Sequence, residues 1–200
     1  MQRSVFIDCG AWEGVSSKFF RNTHPRGCDF EQFAFECNPV LVDKLQKESP
    51  WLTVLNRAVW INEDEIPMYM GSGKYTESSS LIKEKRTGKL DKDNPTMVKG
   101  IDFSQWIKDT FSPEDFICVK MNIEGAEYEV LNKMIEDGTL DYVHQFYIQW
   151  HWKKINLDRK IHDKLVSDLD DAGATIFHWN LDHSSKAKIG EFKEYFMDTI

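Results

Sequence analysis

Strands and helices alternate along most of this chain, and this order constrains the fold more than any other feature of the sequence. Apolar runs such as "SVFIDC" and "FICVKMNI" predict buried strands, and "NPVLVDKLQKES" predicts a helix that Asn38 caps and Pro39 begins. Strands separated by helices are typical of a parallel sheet with helices on both faces. The sequence therefore predicts an α/β fold whose last two strands, "ATIFHW" and "EFKEYFMDTI", form an antiparallel pair.

Composition narrows the class of protein further. The 200 residues, 41% of them hydrophobic, suffice for one domain over residues 1–200. The net charge of −8 disfavours a nucleic-acid partner, because such proteins usually present a basic stripe. No signal peptide or membrane-spanning run is apparent, so we expect a cytoplasmic protein without a membrane partner. The first strand starts almost at the first residue, which is compatible with a domain excised from a longer protein.

Ligands of open parallel sheets bind beyond the carboxyl ends of the strands, near the point where strand order reverses. After the first predicted strand, Asp8 begins the turn D-x-G-x-x-x-G, in which Gly10 and Gly14 allow the backbone to approach a ligand closely. Glu36 closes the second strand, where a carboxylate can accept hydrogen bonds from both hydroxyls of a ribose. These features fit either a dinucleotide or S-adenosylmethionine.

The charge of this turn separates the two ligands. A pyrophosphate needs the open backbone N–H groups of a G-x-G-x-x-G loop, but here Trp12 replaces the middle glycine. Asp8 and Glu13 would repel a pyrophosphate, whereas they suit a ligand that carries an ammonium and a sulfonium. The turn therefore favours S-adenosylmethionine over a dinucleotide. The alternative is that Asp8 and Glu36 only cap the turns that follow their strands.

Four motifs in this order resemble those of the FkbM-type family of S-adenosylmethionine-dependent methyltransferases. Residues 8–14 match D-x-G-A-x-x-G, residues 36–39 match an E-P-N-P-like turn, residues 56–58 match N-x-A, and residues 120–127 match K-x-D-x-E-G-x-E. Two positions depart from the family pattern. Asn122 stands where the family usually has Asp, and Trp12 stands where a small or polar residue is usual. The first departure casts doubt on any role there that needs negative charge, including metal binding.

The resemblance implies a Rossmann-like class I methyltransferase fold that methylates a hydroxyl, often on a sugar or a secondary metabolite. It also implies that residues 10–14 hold the methionine part of the cofactor, that Glu36 holds the ribose, and that residues 56–58 lie near the adenine. The cofactor-binding residues expected on this basis are Asp8, Gly10, Ala11, Trp12, Gly14, Glu36, Asn38, Asn56, Ala58 and Asn122.

Methyl transfer to a hydroxyl requires a group that takes up the hydroxyl proton. Glu124 is the first candidate, because it follows the central strand two residues after Asn122; its alternative role is that of an acid at a helix start. His151 is the second candidate, because a neutral imidazole can accept a proton near pH 7. The sequence leaves open whether the protein binds a divalent metal. Glu124, Asn122 and Asp102 could converge on one, but their spacing does not require it, so no metal ligand is assigned.

Two groups of residues suit a sugar acceptor. Ser79 and Ser80 lie in a long polar loop, which could close over the acceptor or remain solvated. Trp150 and Trp152 could form an apolar wall for a sugar ring, and strand alternation would put both on the face opposite His151.

We therefore expect an S-adenosylmethionine-dependent O-methyltransferase that releases S-adenosylhomocysteine. The expected acceptor is a sugar hydroxyl, such as that of a deoxyhexose like rhamnose on a glycan, with other glycan-synthesis domains of the same chain as partners. The alternatives are an O-methyltransferase of a small metabolite or lipid, and an NAD-binding domain that transfers no methyl group. Binding of S-adenosylhomocysteine or of NAD distinguishes the last alternative from the others.

Overall fold

The computed structural model describes residues 2–179, without the side chains of residues 74 and 75, and it contains nine strands in that range. Six of them form one parallel sheet in the order β3-β2-β1-β7-β8-β9. The other three form a small second sheet in the order β4-β6-β5. The strands are β1 Ser4–Cys9, β2 Glu31–Phe35, β3 Leu52–Leu55, β4 Ala58–Trp60, β5 Glu65–Met68, β6 Thr96–Asp102, β7 Phe116–Met121, β8 Gln145–Ile148 and β9 Ile176–His178.

Five α-helices of the described residues cover both faces of the large sheet: α1 Val15–Thr23, α2 Pro39–Glu48, α3 Phe103–Thr110, α4 Glu127–Glu136 and α5 Arg159–Asp171. Along β1, Val5 and Ile7 pack with α3, α4 and α5, whereas Phe6 stacks on Phe20 of α1 with the ring centroids 4.0 Å apart. On the face of α1, Leu45 of α2 packs in a buried cluster with β2 and β3. The predicted α/β architecture, a parallel sheet between two helical layers, is confirmed.

The second sheet is a feature that the sequence pattern did not reveal. Residues 52–61 read as one strand, but the chain leaves the large sheet after β3 and enters the small one at β4. β6, which sequence reasoning missed, pairs parallel with β4 and antiparallel with β5. Between β5 and β6 the chain forms the polar loop, which includes a 3-10 helix at Gly73–Ser78.

At the other end of the large sheet, β9 pairs parallel with β8. The strand predicted as its antiparallel partner, residues 191–200, lies outside the described residues. Among residues 2–179, no helix is long and apolar enough to cross a lipid bilayer.

Strand order reverses between β1 and β7, since β1 continues to β2 and β3 on one side and β7 to β8 and β9 on the other. The turns after β1 and β7 lie side by side at this point, because Asn122 N–H donates to the carbonyl of Cys9 at 3.1 Å. Such a switch point is where open α/β sheets bind their ligands.

Candidate active site

A cleft opens at the switch point, and its roughly 600 Å³ of empty space is partly open to solvent. The turns after β1, β2, β3 and β7 line one part of it, and the polar loop lines another. The residues that border the cleft are Gly10, Trp12, Phe35, Glu36, Cys37, Asn38, Leu41, Arg57, Ala58, Val59, Met68, Thr76, Glu77, Ser79, Ser80, Leu81, Asn122, Ile123 and Glu124.

Glycine at position 10 allows the turns after β1 and β7 to approach each other. Its φ is +80°, and a Cβ on Gly10 would lie 2.2 Å from the carbonyl oxygen of Asn122. At Gly14, where φ is +73°, a Cβ would lie 2.4 Å from Cδ1 of Leu45 in α2. The glycines thus make room for the protein's own backbone and core, and of the two only Gly10 borders the cleft.

Asp8 lies beneath this turn and does not border the cleft. Its carboxylate is fully buried, accepts a hydrogen bond from the Ser17 hydroxyl at 2.7 Å and pairs with the Lys120 ammonium at 2.8 Å. Lys120 also donates to the carbonyl of Gly10 at 2.9 Å and thereby holds the turn. Direct contact between Asp8 and a cofactor is therefore not supported, because its charge is neutralised within the core. Ala11 is likewise buried, away from the cleft.

Glu36 joins the turns after β1 and β2 at the cleft. Its Oε2 accepts a hydrogen bond from the backbone N–H of Trp12, and its Oε1 accepts one from the N–H of Asn38, both at 2.8 Å. Burial raises the pKa of Glu36, although the two N–H groups oppose this change. Each carboxylate oxygen keeps a second lone pair, so Glu36 can still accept hydrogen bonds from a ligand. Trp12 adopts a left-handed backbone conformation with φ 47°.

Of the predicted residues after β2 and β3, some border the cleft and others support the turns that line it. Asn38 borders the cleft and caps α2 as predicted, since its Oδ1 accepts from Val40 N–H at 3.1 Å. Asn56 does not border the cleft; its side-chain amide donates to the carbonyls of Glu36 and Cys37 at 2.9 and 3.2 Å. Ala58 and Arg57 of the same predicted turn both border the cleft, although Arg57 was not among the expected cofactor-binding residues.

Asn122 provides an unused hydrogen-bond acceptor at the cleft. Its side-chain Oδ1 is buried and has no hydrogen-bond partner among the described residues. Buried carbonyl oxygens are nearly always satisfied in folded proteins, and those that are not call for an explanation. A hydrogen-bond donor of a bound ligand would provide one.

Glu124 presents a charged carboxylate to the cleft. Its backbone is left-handed, with φ 55°, and Gly125 follows with φ 116°. Its Oε2 lies 2.8 Å from Lys85 Nζ and 3.6 Å from Lys154 Nζ, and its Oε1 lies 3.3 Å from Nε2 of His151. Burial raises the pKa of Glu124, but these three cationic groups outweigh burial and lower it to about 2. The carboxylate is therefore ionised at neutral pH.

His151 lies behind Glu124 and does not border the cleft. Its Nδ1 lies 2.7 Å from Oε1 of Glu127, whose oxygens also accept from the N–H groups of Ile123 and Gly125 at 3.1 and 2.9 Å. Burial lowers the pKa of His151, but Glu127 and Glu124 outweigh burial and raise it to about 9. This environment disfavours the predicted neutral His151 base, because the raised pKa favours the protonated imidazole and burial shields it from the cleft.

Trp150 and Trp152 lie away from the cleft, in contrast to their predicted role in an acceptor wall. Both rings pack on His162 of α5, with centroids 5.1 and 5.5 Å away. The strand ends at Ile148, and α5 rather than a ligand covers the two indoles.

Ser79 and Ser80 both border the cleft, but their hydroxyls bind the protein itself. The Ser79 hydroxyl donates to the Thr76 carbonyl at 2.8 Å and accepts from Gly71 N–H at 3.0 Å. The Ser80 hydroxyl donates to the backbone carbonyl of Glu124 at 2.7 Å. The Ser80 hydroxyl therefore holds the polar loop against the turn after β7, whereas the Ser79 hydroxyl bonds within the loop.

No group of three or more His, Cys, Asp or Glu side chains that could hold a metal ion is present within residues 2–179. Asp102, considered above with Glu124 and Asn122, caps α3 through Gln105 N–H at 3.1 Å and pairs with Lys133 at 3.5 Å.

The parallel sheet, its switch-point cleft and the acidic side chains around it are typical of α/β enzymes that bind a nucleoside-containing cofactor, among them the class I methyltransferases. A family model described as "Methyltransferase FkbM domain" matches residues 8–174. The chain therefore belongs to the FkbM methyltransferase family, which supports methyl transfer over the NAD-binding alternative. Searches of curated proteins and of solved structures each returned no match.

Proposed function

We propose that this chain transfers a methyl group from S-adenosylmethionine to a hydroxyl group of a sugar or glycan. The observation that carries the proposal is the ionised carboxylate of Glu124, which borders the same cleft as Asn122 with its unsatisfied oxygen. When bound, the cofactor supplies a methyl group activated by its positively charged sulfur. The protein's part is to bind the two reactants, to align them and to take up a proton.

The residues of the cleft fit S-adenosylmethionine. Asn122 Oδ1 would accept a hydrogen bond from the ammonium group, which satisfies an otherwise unpaired buried oxygen. The free lone pairs of Glu36 would accept hydrogen bonds from the ribose hydroxyls. Phe35, Leu41 and Ala58 add apolar surface on the same side, where an adenine ring would be shielded from water.

Glu124 would hold the hydroxyl group of the acceptor through a hydrogen bond. With a pKa of about 2, its carboxylate is too weak a base to ionise a free alcohol. It becomes sufficient as the new carbon–oxygen bond forms, because a protonated ether oxygen is far more acidic than a carboxylic acid. The proton then passes from that oxygen to Glu124 and on to water, which restores the ionised carboxylate.

The polar loop supports a hydroxylated acceptor, since Thr76 and Glu77 are exposed and border the cleft. A deoxyhexose such as rhamnose at the end of a glycan is the first acceptor to test. Val59, Met68 and Leu81 border the same cleft and favour a second candidate, the hydroxyl of a small apolar metabolite or lipid. The same proposal includes glycan-synthesis domains as partners. It also includes a cytoplasmic setting, in which the four free cysteines stay reduced.

Calorimetry and a transfer assay test this function. We expect S-adenosylhomocysteine to bind and NAD not to bind. Radiolabelled methyl groups should appear on at least one acceptor in a panel of sugars, glycans and apolar alcohols, assayed with and without a chelator. Failure to bind S-adenosylhomocysteine would overturn the proposal, whereas transfer to the apolar alcohols alone would favour the second candidate.

The role of Glu124 is tested by Glu124→Gln, with Glu77→Gln as the control for an exposed acid of the same cleft. Loss of a proton acceptor typically costs a factor of about 10²–10⁴ in kcat. We expect a loss in that range for Glu124→Gln with little change in S-adenosylhomocysteine affinity, and a much smaller loss for the control. Near-normal turnover of Glu124→Gln would show that another group takes the proton.

A further inference from the structure

Lys85 is a buried lysine in a mostly exposed segment. Its side chain is 0% exposed, although both preceding residues, Lys83 and Glu84, are exposed. A buried ammonium group is costly unless it is paired and hydrogen-bonded. Its partners therefore indicate why the chain maintains it.

The partners of Lys85 lie at the active site. Its Nζ pairs with Oε2 of Glu124 at 2.8 Å and donates to the carbonyl of Ser78. Two further contacts tie the same segment to the site: the Ser80 hydroxyl donates to the carbonyl of Glu124, and Arg86 N–H donates to the carbonyl of Lys154 at 2.8 Å. The segment 78–88 is thus anchored on Glu124 and on the turn after β8.

The same part of the chain lines the cleft. Thr76, Glu77, Ser79, Ser80 and Leu81 border it, while Lys85 reaches Glu124 within the protein interior. Docking of this segment therefore does two things at once: it encloses the acceptor side of the cleft and it brings a cation to the Glu124 carboxylate.

We propose that Lys85 is a positioning residue, which orients the Glu124 carboxylate and keeps it ionised, so that Glu124 is ready for the acceptor only when segment 78–88 is docked. This inference rests on the proposed function of Glu124 as the acceptor of the hydroxyl proton. Lys85 itself does not border the cleft and touches no reactant.

Two other cationic groups face Glu124. His151 lowers the pKa of Glu124 more than Lys85 does, but neither His151 nor Lys154 belongs to the segment that lines the cleft. Lys154 lies 3.6 Å away with its side chain 36% exposed, so water and salt screen it. His151 is shared with Glu127 of α4. Burial lowers the pKa of Lys85, whereas Glu124 opposes that change, as expected for an ion pair in a confined site.

The test compares Lys85→Met with Lys83→Met, its exposed neighbour, and with Lys154→Met. The first readout needs no acceptor: carbon-13 NMR of labelled glutamate side chains, with the Glu124 signal assigned by its loss in Glu124→Gln. We expect Glu124 to stay ionised down to pH 4 in the unmodified protein and to titrate above pH 4 in Lys85→Met. Lys154→Met should give a smaller shift and Lys83→Met none.

The second readout is the pH profile of kcat with any acceptor that the protein methylates. Lys85→Met should lower kcat at least tenfold and move the acid limb upward by about one pH unit, with little change in S-adenosylhomocysteine affinity; Lys85→Arg should restore the acid limb. An unchanged Glu124 titration in Lys85→Met would overturn this inference alone. Absence of methyl transfer by the unmodified protein would instead overturn the proposed function, and the NMR result would still decide the role of Lys85.

If Lys85→Met does not fold, the double variant Lys85→Met/Glu124→Gln decides, because it removes both buried charges together. Its kcat should equal that of Glu124→Gln, since Lys85 acts through Glu124. A further tenfold loss in the double variant would mean that Lys85 has only a general structural role, and would overturn the inference.

Discussion

Asn122 tests the cofactor site at the scale of one residue, because its buried Oδ1 lacks a partner among the described residues. A hydrogen bond to a charged group contributes about 1.5–3 kcal/mol. Asn122→Leu should therefore weaken S-adenosylhomocysteine binding by roughly 10- to 100-fold, measured by calorimetry. Asn122→Asp retains the acceptor and should keep the affinity or raise it. Equal affinity of Asn122→Leu and the unmodified protein would exclude this contact with the ammonium group.

Gly10 tests the close approach of the two turns. A residue with a Cβ pays about 1–2 kcal/mol for a left-handed backbone, and at Gly10 its Cβ would also overlap the Asn122 carbonyl. Gly138, with φ +66°, has nothing within 4 Å of its Cβ position and provides the matched control. We expect Gly10→Ala to lower the free energy of unfolding in urea by at least about 2 kcal/mol more than Gly138→Ala. Equal losses would mean that the turns separate easily.

The sequence was sufficient to locate the cleft residues in the turns, but not the charged residues that pair with the acids beside them. Gly10, Glu36 and Asn122 follow strands and could be located from the chain order alone. The burial of Asp8 with Lys120 could not, because Lys120 lies on another strand that meets β1 only in the folded sheet. Lys85 was missed for the same reason: it reads as one charge within the run "KEKR", and only the tertiary fold brings it to Glu124.

At the scale of elements, His151 links the loop after β8 to the turn after β7 and to α4. Its pKa is raised from 6.5 to about 9, so its stabilising contribution is complete below pH 6.5 and is lost as the pH rises to 9. The pKa of Glu124 is lowered to about 2, so its contribution is complete above pH 4.5 and is lost as the pH falls to 2. These two groups together favour maximal stability between pH 4.5 and 6.5.

We therefore expect the free energy of unfolding to fall between pH 6.5 and 9 by an amount on the order of 3 kcal/mol. Urea unfolding at several pH values measures this decline. His151→Gln should be less stable than the unmodified protein at pH 6, because the carboxylates of Glu124 and Glu127 lose their shared partner, and its stability should change little from pH 6.5 to 9. An equally steep decline in His151→Gln would assign the effect to other groups.

The sequence mispredicted secondary-structure elements where the local hydrophobic pattern does not show which strands or helices pack together. Residues 52–61 are mostly apolar, and the interruption by Asn56 and Arg57 does not by itself indicate that β3 and β4 belong to different sheets. The chain turns at residues 56 and 57, where the Asn56 amide donates hydrogen bonds to the carbonyls of Glu36 and Cys37, directly after β2. Similarly, Trp150 and Trp152 lie beyond the end of β8, and their packing on His162 depends on a helix that follows them in the chain.

At the scale of the whole molecule, cofactor binding should stabilise the entire domain, because the cleft draws on turns after four strands of the large sheet and on strand residues of the small sheet. A ligand at 100 times its Kd stabilises the folded state by about 2.7 kcal/mol. For a domain of this size each kcal/mol raises Tm by about 2–4 °C, so S-adenosylhomocysteine at that concentration should raise Tm by roughly 5–10 °C, measured by calorimetric scanning. The rise should shrink in Asn122→Leu at the same ligand concentration and be absent with NAD. A comparable rise with NAD would contradict the assignment of the cleft, because the carboxylates of Glu36, Glu77 and Glu124 repel a pyrophosphate and attract a cationic ligand.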